Sequence, residues 1–314
     1  MDQLKMIKMI IPILGLFILS ACNTDQDIIT TTTTTEATEE AKVCKAKDYT
    51  YEEDNLTYDL IWSDEFDGNE LDETKWSYAT GGYGFGNNEL QYYTEGENLS
   101  VLDGKLIIET RKEDYVSRHY TSSKITTEES KSFKYAKIDV MAKIPAGRGT
   151  WPAIWMLPKD WQYGGWPDSG EIDIMEHVGY DMNEIHGTVH TGDYNHMKGT
   201  QKGGSIEVEN VDTTFHKYSI EWLPDKIKFF VDDEKYYEFT PTKYFSCPDS
   251  GRWPFDQEFY LILNIAIGGN WGGARKIDGD NGVDDTIFPQ TMEIDYIRVY
   301  QSNEITSLDD IRNN

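Results

Sequence analysis

Positive charge is scarce in this sequence. Lys and Arg together number 29 against 56 Asp and Glu, a formal net charge of -27 over 314 residues. A chain this acidic lacks the clustered Lys and Arg that a nucleic-acid backbone requires. A strongly anionic substrate is disfavoured for the same electrostatic reason. Cysteine is nearly missing, at three residues, Cys22, Cys44 and Cys247. No Gly-x-Ser-x-Gly elbow occurs and no cysteine has a reactive context, which argues against a Ser or Cys nucleophile. The six histidines show no tight zinc-ligand spacing. The glycine-rich stretch 81–88 lacks the Lys-Ser/Thr ending of a phosphate loop and leads into no helical pattern. There is no internal repeat and no long 3.6-residue periodicity. The apolar run at 9–19 is too short to span a bilayer as a mature helix.

That run has a different use. Lys5 and Lys8 precede it and Leu19-Ser20-Ala21-Cys22 ends it. The arrangement resembles a bacterial lipoprotein signal, with residues 1–21 removed and lipid placed on Cys22; an ordinary secretory signal containing a cysteine is the other reading. Either way the chain is exported. The expected location is the cell envelope, at the outer membrane on one face or the other, with the lipid at Cys22 as the only membrane contact. Residues 22–54 read as a tether: threonine fills 30–35, Glu36, Glu39 and Glu40 follow, and nothing there can build a core. An exported compartment permits a disulfide between Cys44 and Cys247, or two free thiols; the sequence leaves both open.

Residues 55–301 read as one folded domain of many short strands. Aromatics make up 13% of the chain and hydrophobic residues 38%, enough for a substantial core. Residues 99–102 and 105–109 flank Asp103-Gly104, and 227–231 and 235–239 flank Asp232-Asp233, two hairpin signals. Residues 135–144, 215–222 and 292–300 alternate cleanly, and 259–267 is almost unbroken in its apolarity, as a strand buried on both faces would be. Such a pattern predicts an all-β sandwich or barrel, with 302–314 as a polar tail.

The informative strand is Gly170-Glu171-Ile172-Asp173-Ile174-Met175-Glu176-His177. Glu171 and Asp173 share one face and Ile172 and Ile174 the other, but Glu176 falls one position late. One extra residue bulging near Met175 would return Glu176 to the face of Glu171 and Asp173. Strand interiors avoid acids, so three of them converging mark a site. Paired carboxyls suit glycoside hydrolysis, one attacking and one protonating; a hard-cation site is the rival reading. Trp151, Ala153 and Trp155 share a strand face, and the small alanine leaves indole planes free to stack on sugar rings. Pro152 on the opposite side suggests an edge strand. Trp166, Trp271, Tyr83 and Phe85 add aromatic candidates. His186, Thr188 and His190 share a face of the following strand.

Gly170 to Glu176 resembles the bulged active-site signature of glycoside hydrolase family 16. Residues 62–66, 86–94, 149–157, 187–190, 264–271 and 295–300 resemble the same family in order, so the likeness spans about 55–301. It is closest to the laminarinase-like endo-β-1,3-glucanases. The resemblance implies a concanavalin A-like jelly-roll β-sandwich with a concave cleft for a β-glucan. It implies retaining hydrolysis, without a cofactor, by a monomer. In that case Glu171 is the nucleophile, Glu176 the general acid/base, and Asp173 the group that tunes both. Asn88, Trp151, Trp155, Trp166, His190 and Trp271 would line the subsites. Glu65, the backbone of Gly104, and Asp295 would hold a structural calcium on the convex side. One departure is visible: Tyr120-Thr121-Ser122-Ser123-Lys124 carries lysine where the family pattern has arginine, and lysine cannot reproduce an arginine fork. Mixed-linkage glucan, a marine galactan, or carbohydrate binding without catalysis are the alternatives.

Overall fold

Alternating apolar residues separated by tight turns give strands along nearly the whole folded region. The computed structural model describes residues 51–240 and 250–307. The expected signal, the lipidation residue Cys22, the tether up to residue 50, and Cys44 and Cys247 lie outside the described residues. In chain order the first strands are β1 (Asp59–Asp64), β2 (Ser77–Tyr78), β3 (Gln91–Tyr93), β4 (Leu99–Leu102), β5 (Lys105–Tyr115) and β6 (Arg118–Ser122). Then come β7 (Lys124–Thr126), β8 (Ala136–Lys143), β9 (Thr150–Pro158), β10 (Glu171–Glu176), β11 (Glu184–His190) and β12 (Lys202–Glu207). The last are β13 (His216–Leu223), β14 (Lys226–Val231), β15 (Glu234–Phe239), β16 (Phe259–Ile267) and β17 (Gln290–Gln301), with a four-residue helix α1 (Gly269–Gly272) between the final two.

These strands form two sheets. The acid strand lies in a seven-stranded sheet of order β12-β11-β10-β9-β16-β7-β2. The other follows β15-β14-β13-β8-β17-β5-β6-β3, with β1 also on β17 and β4 on β5. The fold is a jelly-roll β-sandwich. Its core lies between the sheets: Ile154, Met156, Ile172, Leu263 and Ile265 on one side, Ile138, Val140, Ile220, Phe229 and Val299 on the other, all buried. Each such side chain contributes roughly 1.5–3 kcal/mol on burial. The sheets close tightly where β11 and β12 cross β14 and β15. A Cβ on Gly187 would sit 2.5 Å from the Phe229 ring, and one on Gly204 2.8 Å from Tyr237.

Both hairpin turns take the left-handed backbone their residues favour, φ 52° at Asp103 and 70° at Gly104, 49° at Asp232 and 69° at Asp233. β16 is buried at all nine positions. Three expectations need correction. β9 is not an edge strand, because β10 pairs on one side of it and β16 on the other. Pro152 is tolerated there because its carbonyl accepts the His177 N–H, one residue beyond the end of β10. Its missing N–H points the same way, past the paired ladder. The folded part also starts earlier than residue 55. Tyr51 donates to Asp225, and Glu53 binds Lys228 Nζ at 2.5 Å and Lys226 besides, so 51–54 dock on β14 instead of continuing the tether. Finally, residues 303–307 of the expected polar tail form a helical turn that buries Ile305 to 1% exposure.

Candidate active site

β10 pairs with β11 as Glu171↔His190, Asp173↔Thr188 and Glu176↔His186, and with β9 as Asp173↔Trp155, Met175↔Ile154 and Glu176↔Ala153. Between Asp173 and Glu176 the chain spends three residues against two on each neighbour. The partners step by two, so Glu171, Asp173 and Glu176 all face the same way, outward from the core. The extra residue is absorbed by Ile174 and Met175 together. Met175 opposes Ile154, Ile174 is the residue left out of the register, and both side chains enter the core, at 0% and 1% exposure. The bulge is therefore held by two buried apolar side chains, and unbulging would expel one of them.

Each terminal acid receives an indole N–H. Trp166 Nε1 donates to Glu171 Oε2 at 2.7 Å, and Trp151 Nε1 to Glu176 Oε1 at 3.0 Å. Asp173 hydrogen-bonds Glu171 carboxyl to carboxyl, an arrangement that needs a shared proton. His190 Nε2 lies 3.3 Å from Asp173 Oδ2 and 3.8 Å from Glu171 Oε1.

The trio cannot carry three negative charges. Burial is the largest influence on each. It pushes Glu176 up to about 7, with the charge of Glu171 adding to the rise and His190 and the Trp151 N–H opposing it. Burial and then the charge of Asp173 push Glu171 up to about 8, while His190 and the Trp166 N–H pull it down. Asp173, nearly sealed from solvent, is raised well above its ordinary value by burial and the charge of Glu176, with its bond to Glu171 pulling the other way. A proton shared between Asp173 and Glu171 relieves the repulsion, and Asp173 is the more deeply buried of the two. With that proton on Asp173 its charge no longer raises Glu171, and Glu171 gains an O–H donor beside the indole N–H. The strand can thus present an ionised carboxylate at one end and a protonated carboxyl at the other.

Glu171, Asp173 and His190 also have ligand atoms within 4.8 Å of one another, which is the hard-cation reading in geometric form. The Trp166 N–H aimed at Glu171 opposes it, since a cation there meets a donor where it needs an oxygen.

Rings brace the indoles. Trp151 meets Trp271 edge-on at 5.6 Å, and Trp271 meets His186 at 5.0 Å. Asn88, on an exposed loop, donates to Asn270 beside Trp271 at 2.9 Å, so the loop and α1 are tied together. Trp166 packs on His196 at 5.0 Å and His190 at 5.9 Å. Trp155 pairs with Asp173 across the ladder, but it gives no hydrogen bond to an acid. Its N–H goes to Asn264 Oδ1 at 2.8 Å, Asn264 donates to Tyr93 at 3.0 Å, and Tyr93 donates to buried Glu89 at 3.1 Å. The indole face expected to be free carries the Lys124 ammonium, 4.7 Å from the Trp155 ring and 4.8 Å from Phe85. Burial lowers the Lys124 pKa, against the pull of Glu89 and Glu171. The lysine that departs from the family pattern thus does face this side of the sheet.

Sequence reasoning missed Asn264, Glu89 and His196 as site residues. Asn264 lies inside an apolar run, and its polar side chain there is the signal that was available; His196 had none. On the opposite sheet, Asp64↔Ile297 and Leu106↔Ile294 bring Glu65, Gly104 and Asp295 to one corner. Glu65, however, accepts two bonds from Arg298, at 3.0 and 2.7 Å.

Comparison with known proteins places these features in context. The family described as glycosyl hydrolases family 16 matches residues 86–298. The β-glucanase of Rhodothermus marinus is 52% identical over 251 residues, covering 78% of this chain and 85% of that protein. Glucan endo-1,3-β-glucosidase A1 of Niallia circulans is 41% identical over 263 residues, covering 77% of this chain and 38% of that protein. Among solved structures, the laminarinase from Rhodothermus marinus superposes with a TM-score of 0.75 at 51% identity, covering 79% of this chain and 99% of that one.

Proposed function

The chain belongs to glycosyl hydrolase family 16, and from that premise we propose that it hydrolyses internal β-1,3-glucosidic bonds of β-glucans such as laminarin, with retention of configuration. The observation that carries this reading is the bulge that sets Glu171, Asp173 and Glu176 on one face, with an indole N–H on each outer acid. The ionised Glu171 attacks the anomeric carbon. As the C–O bond breaks, Glu176 gives its proton to the leaving oxygen, and a glycosyl ester forms on Glu171. Glu176, now a carboxylate, takes a proton from water. The hydroxide so formed displaces Glu171 and restores both groups. Asp173 holds the proton that keeps Glu171 ionised between turnovers. The reaction uses two carboxyls and water and takes no cofactor.

Trp151, Trp166, Trp271, His190 and Asn88 surround the reacting sugar, and Trp155, paired with Asp173, forms a neighbouring subsite with Lys124. A neutral glucan is the substrate that so acidic a chain meets without repulsion. Reducing-sugar release from laminarin by the wild-type chain, abolished in Glu171→Gln, is the expected result. No turnover on any β-glucan or galactan would overturn the reading.

Residues 1–21 direct export, Cys22 carries lipid, and the chain works as a monomer at the envelope. Loss of lipid labelling in Cys22→Ala tests the anchor. Glu65, the Gly104 carbonyl and Asp295 form a hard-oxygen set suited to a structural calcium, which would compete with Arg298 for Glu65. A chelator should then lower the melting temperature without changing the active-site titration.

A further inference from the structure

The loop that leaves β11 after His190 is unusually well tied. Asn195 is buried; its Nδ2 donates to the Thr191 carbonyl at 3.1 Å and the Gly192 carbonyl at 3.2 Å, and its Oδ1 accepts the Lys198 N–H at 3.1 Å. Thr191 Oγ1 donates to the Gly251 carbonyl at 2.7 Å and Lys198 Nζ to the Gly192 carbonyl at 2.5 Å. Gly199 ends the turn in the left-handed region, φ 63°. All of this fixes the position of a side chain that is itself exposed, His196. Its ring centroid lies 5.0 Å from Trp166 with planes 36° apart, and 5.2 Å from His190 at 86°. Trp166 and His190 are the same two residues that approach Glu171, at 2.7 and 3.8 Å.

We infer that His196 is a positioning residue for Glu171: its ring holds the Trp166 indole in the plane that aims Nε1–H at the carboxylate. The inference rests on the reading of Glu171 as nucleophile. Trp166 is only half-buried, and the χ2 torsion of an indole has broad wells, so a neighbour must set its angle. An N–H···O bond weakens steeply once misaligned. Losing it removes a donor that favours the ionised form of Glu171, which must otherwise balance Asp173, Glu176 and His190 around it. An exposed ring contributes little to global stability, so a purely structural role predicts almost nothing on substitution.

The test compares His196→Ala and His196→Phe in the full chain, by kcat and KM on laminarin, by the pH profile of kcat/KM, and by the ¹H–¹⁵N signal of the Trp166 indole, assigned with Trp166→Phe. His196→Ala should lower kcat roughly fivefold with KM little changed. It should also move the acid limb upward by about half a pH unit and shift the indole signal toward that of a non-bonded N–H. His196→Phe, which keeps a ring, should restore most of each. An alanine variant with wild-type kcat, acid limb and indole signal overturns the inference, as does a phenylalanine variant as impaired as alanine. The indole signal reads the contact whether or not laminarin is cleaved, so a failure of the functional reading is seen separately, in the wild-type chain.

Discussion

Glu171 and Glu176 are the same side chain on the same strand, each bonded by one indole N–H, yet their surroundings differ. Glu176 faces Ala153 and His186 across the ladder and has Trp151 as its only direct donor among the described residues. Glu171 has Trp166, the carboxyl of Asp173, and His190 at 3.8 Å. The difference teaches how one strand supports two roles. At the Glu171 end, donors and a neighbour that absorbs a proton favour the anion. At the Glu176 end, burial with a single donor leaves the carboxyl able to hold a proton near neutral pH.

The sharpest way to break that comparison is to remove each carboxylate. Glu171→Ala and Glu176→Ala should both lose on the order of 10²–10⁴-fold or more in kcat on laminarin. Added azide separates them on an activated aryl glycoside. It should attack the glycosyl-enzyme of Glu176→Ala to give a β-glycosyl azide, and replace the missing group of Glu171→Ala to give the α anomer. The same anomer from both would mean that the two ends do not hold distinct roles.

A smaller effect comes from Trp166→Phe and Trp151→Phe, which keep a ring and delete an N–H. Each should raise its own carboxyl by up to about one pH unit. Trp166→Phe should shift the acid limb of kcat/KM upward, and Trp151→Phe the alkaline limb. Interchanged limbs would reverse the assignment of nucleophile and acid.

Stability provides a third comparison. Glu176 in the folded chain is raised from 4.5 to about 7 by burial. Stability associated with it is therefore complete below its unfolded value and lost as pH rises through about 7. That loss is at most on the order of 3 kcal/mol in alkali. Glu176→Gln should raise the melting temperature by several degrees at pH 8 and leave it nearly unchanged at pH 4. An equal shift at both pH values would point to packing instead of charge. His177, the next residue, has the opposite sign. Burial lowers it from 6.5 to about 4. Its stability is complete above 6.5 and is lost as pH falls through about 4, so acid unfolding measured between pH 6 and 4 should be shallower in His177→Gln.

Much of this was legible in the chain. The two Asp-rich hairpins, the apolar β16 and the bulged acid strand follow from local chemistry: turn residues that tolerate positive φ, and alternation that fails at one position. What was misread depended on neighbours. Pro152 suggested an edge, but its lost N–H is harmless because β10 ends one residue short of it, which only the register shows. Ile305 looked like part of a polar tail because three apolar residues, Ile305, Leu308 and Ile311, among ten polar ones are too few to announce a helix. Lys124 read as a lost fork, yet its role depends on Trp155 and Phe85, which lie 31 and 39 positions away from it and converge only in the folded sheet.

The sequence by itself determined that three acids lie on one strand with alternation failing at one position, so that a single bulge brings them to one face, because alternation and offset are local properties. The tertiary structure decided which acid does what. Protonation depends on burial and on donors within a few ångströms, and those donors, Trp151, Trp166, His190 and the His196 ring behind them, come from other strands and loops. Nothing in the order of residues encodes those distances; the packing of two sheets does.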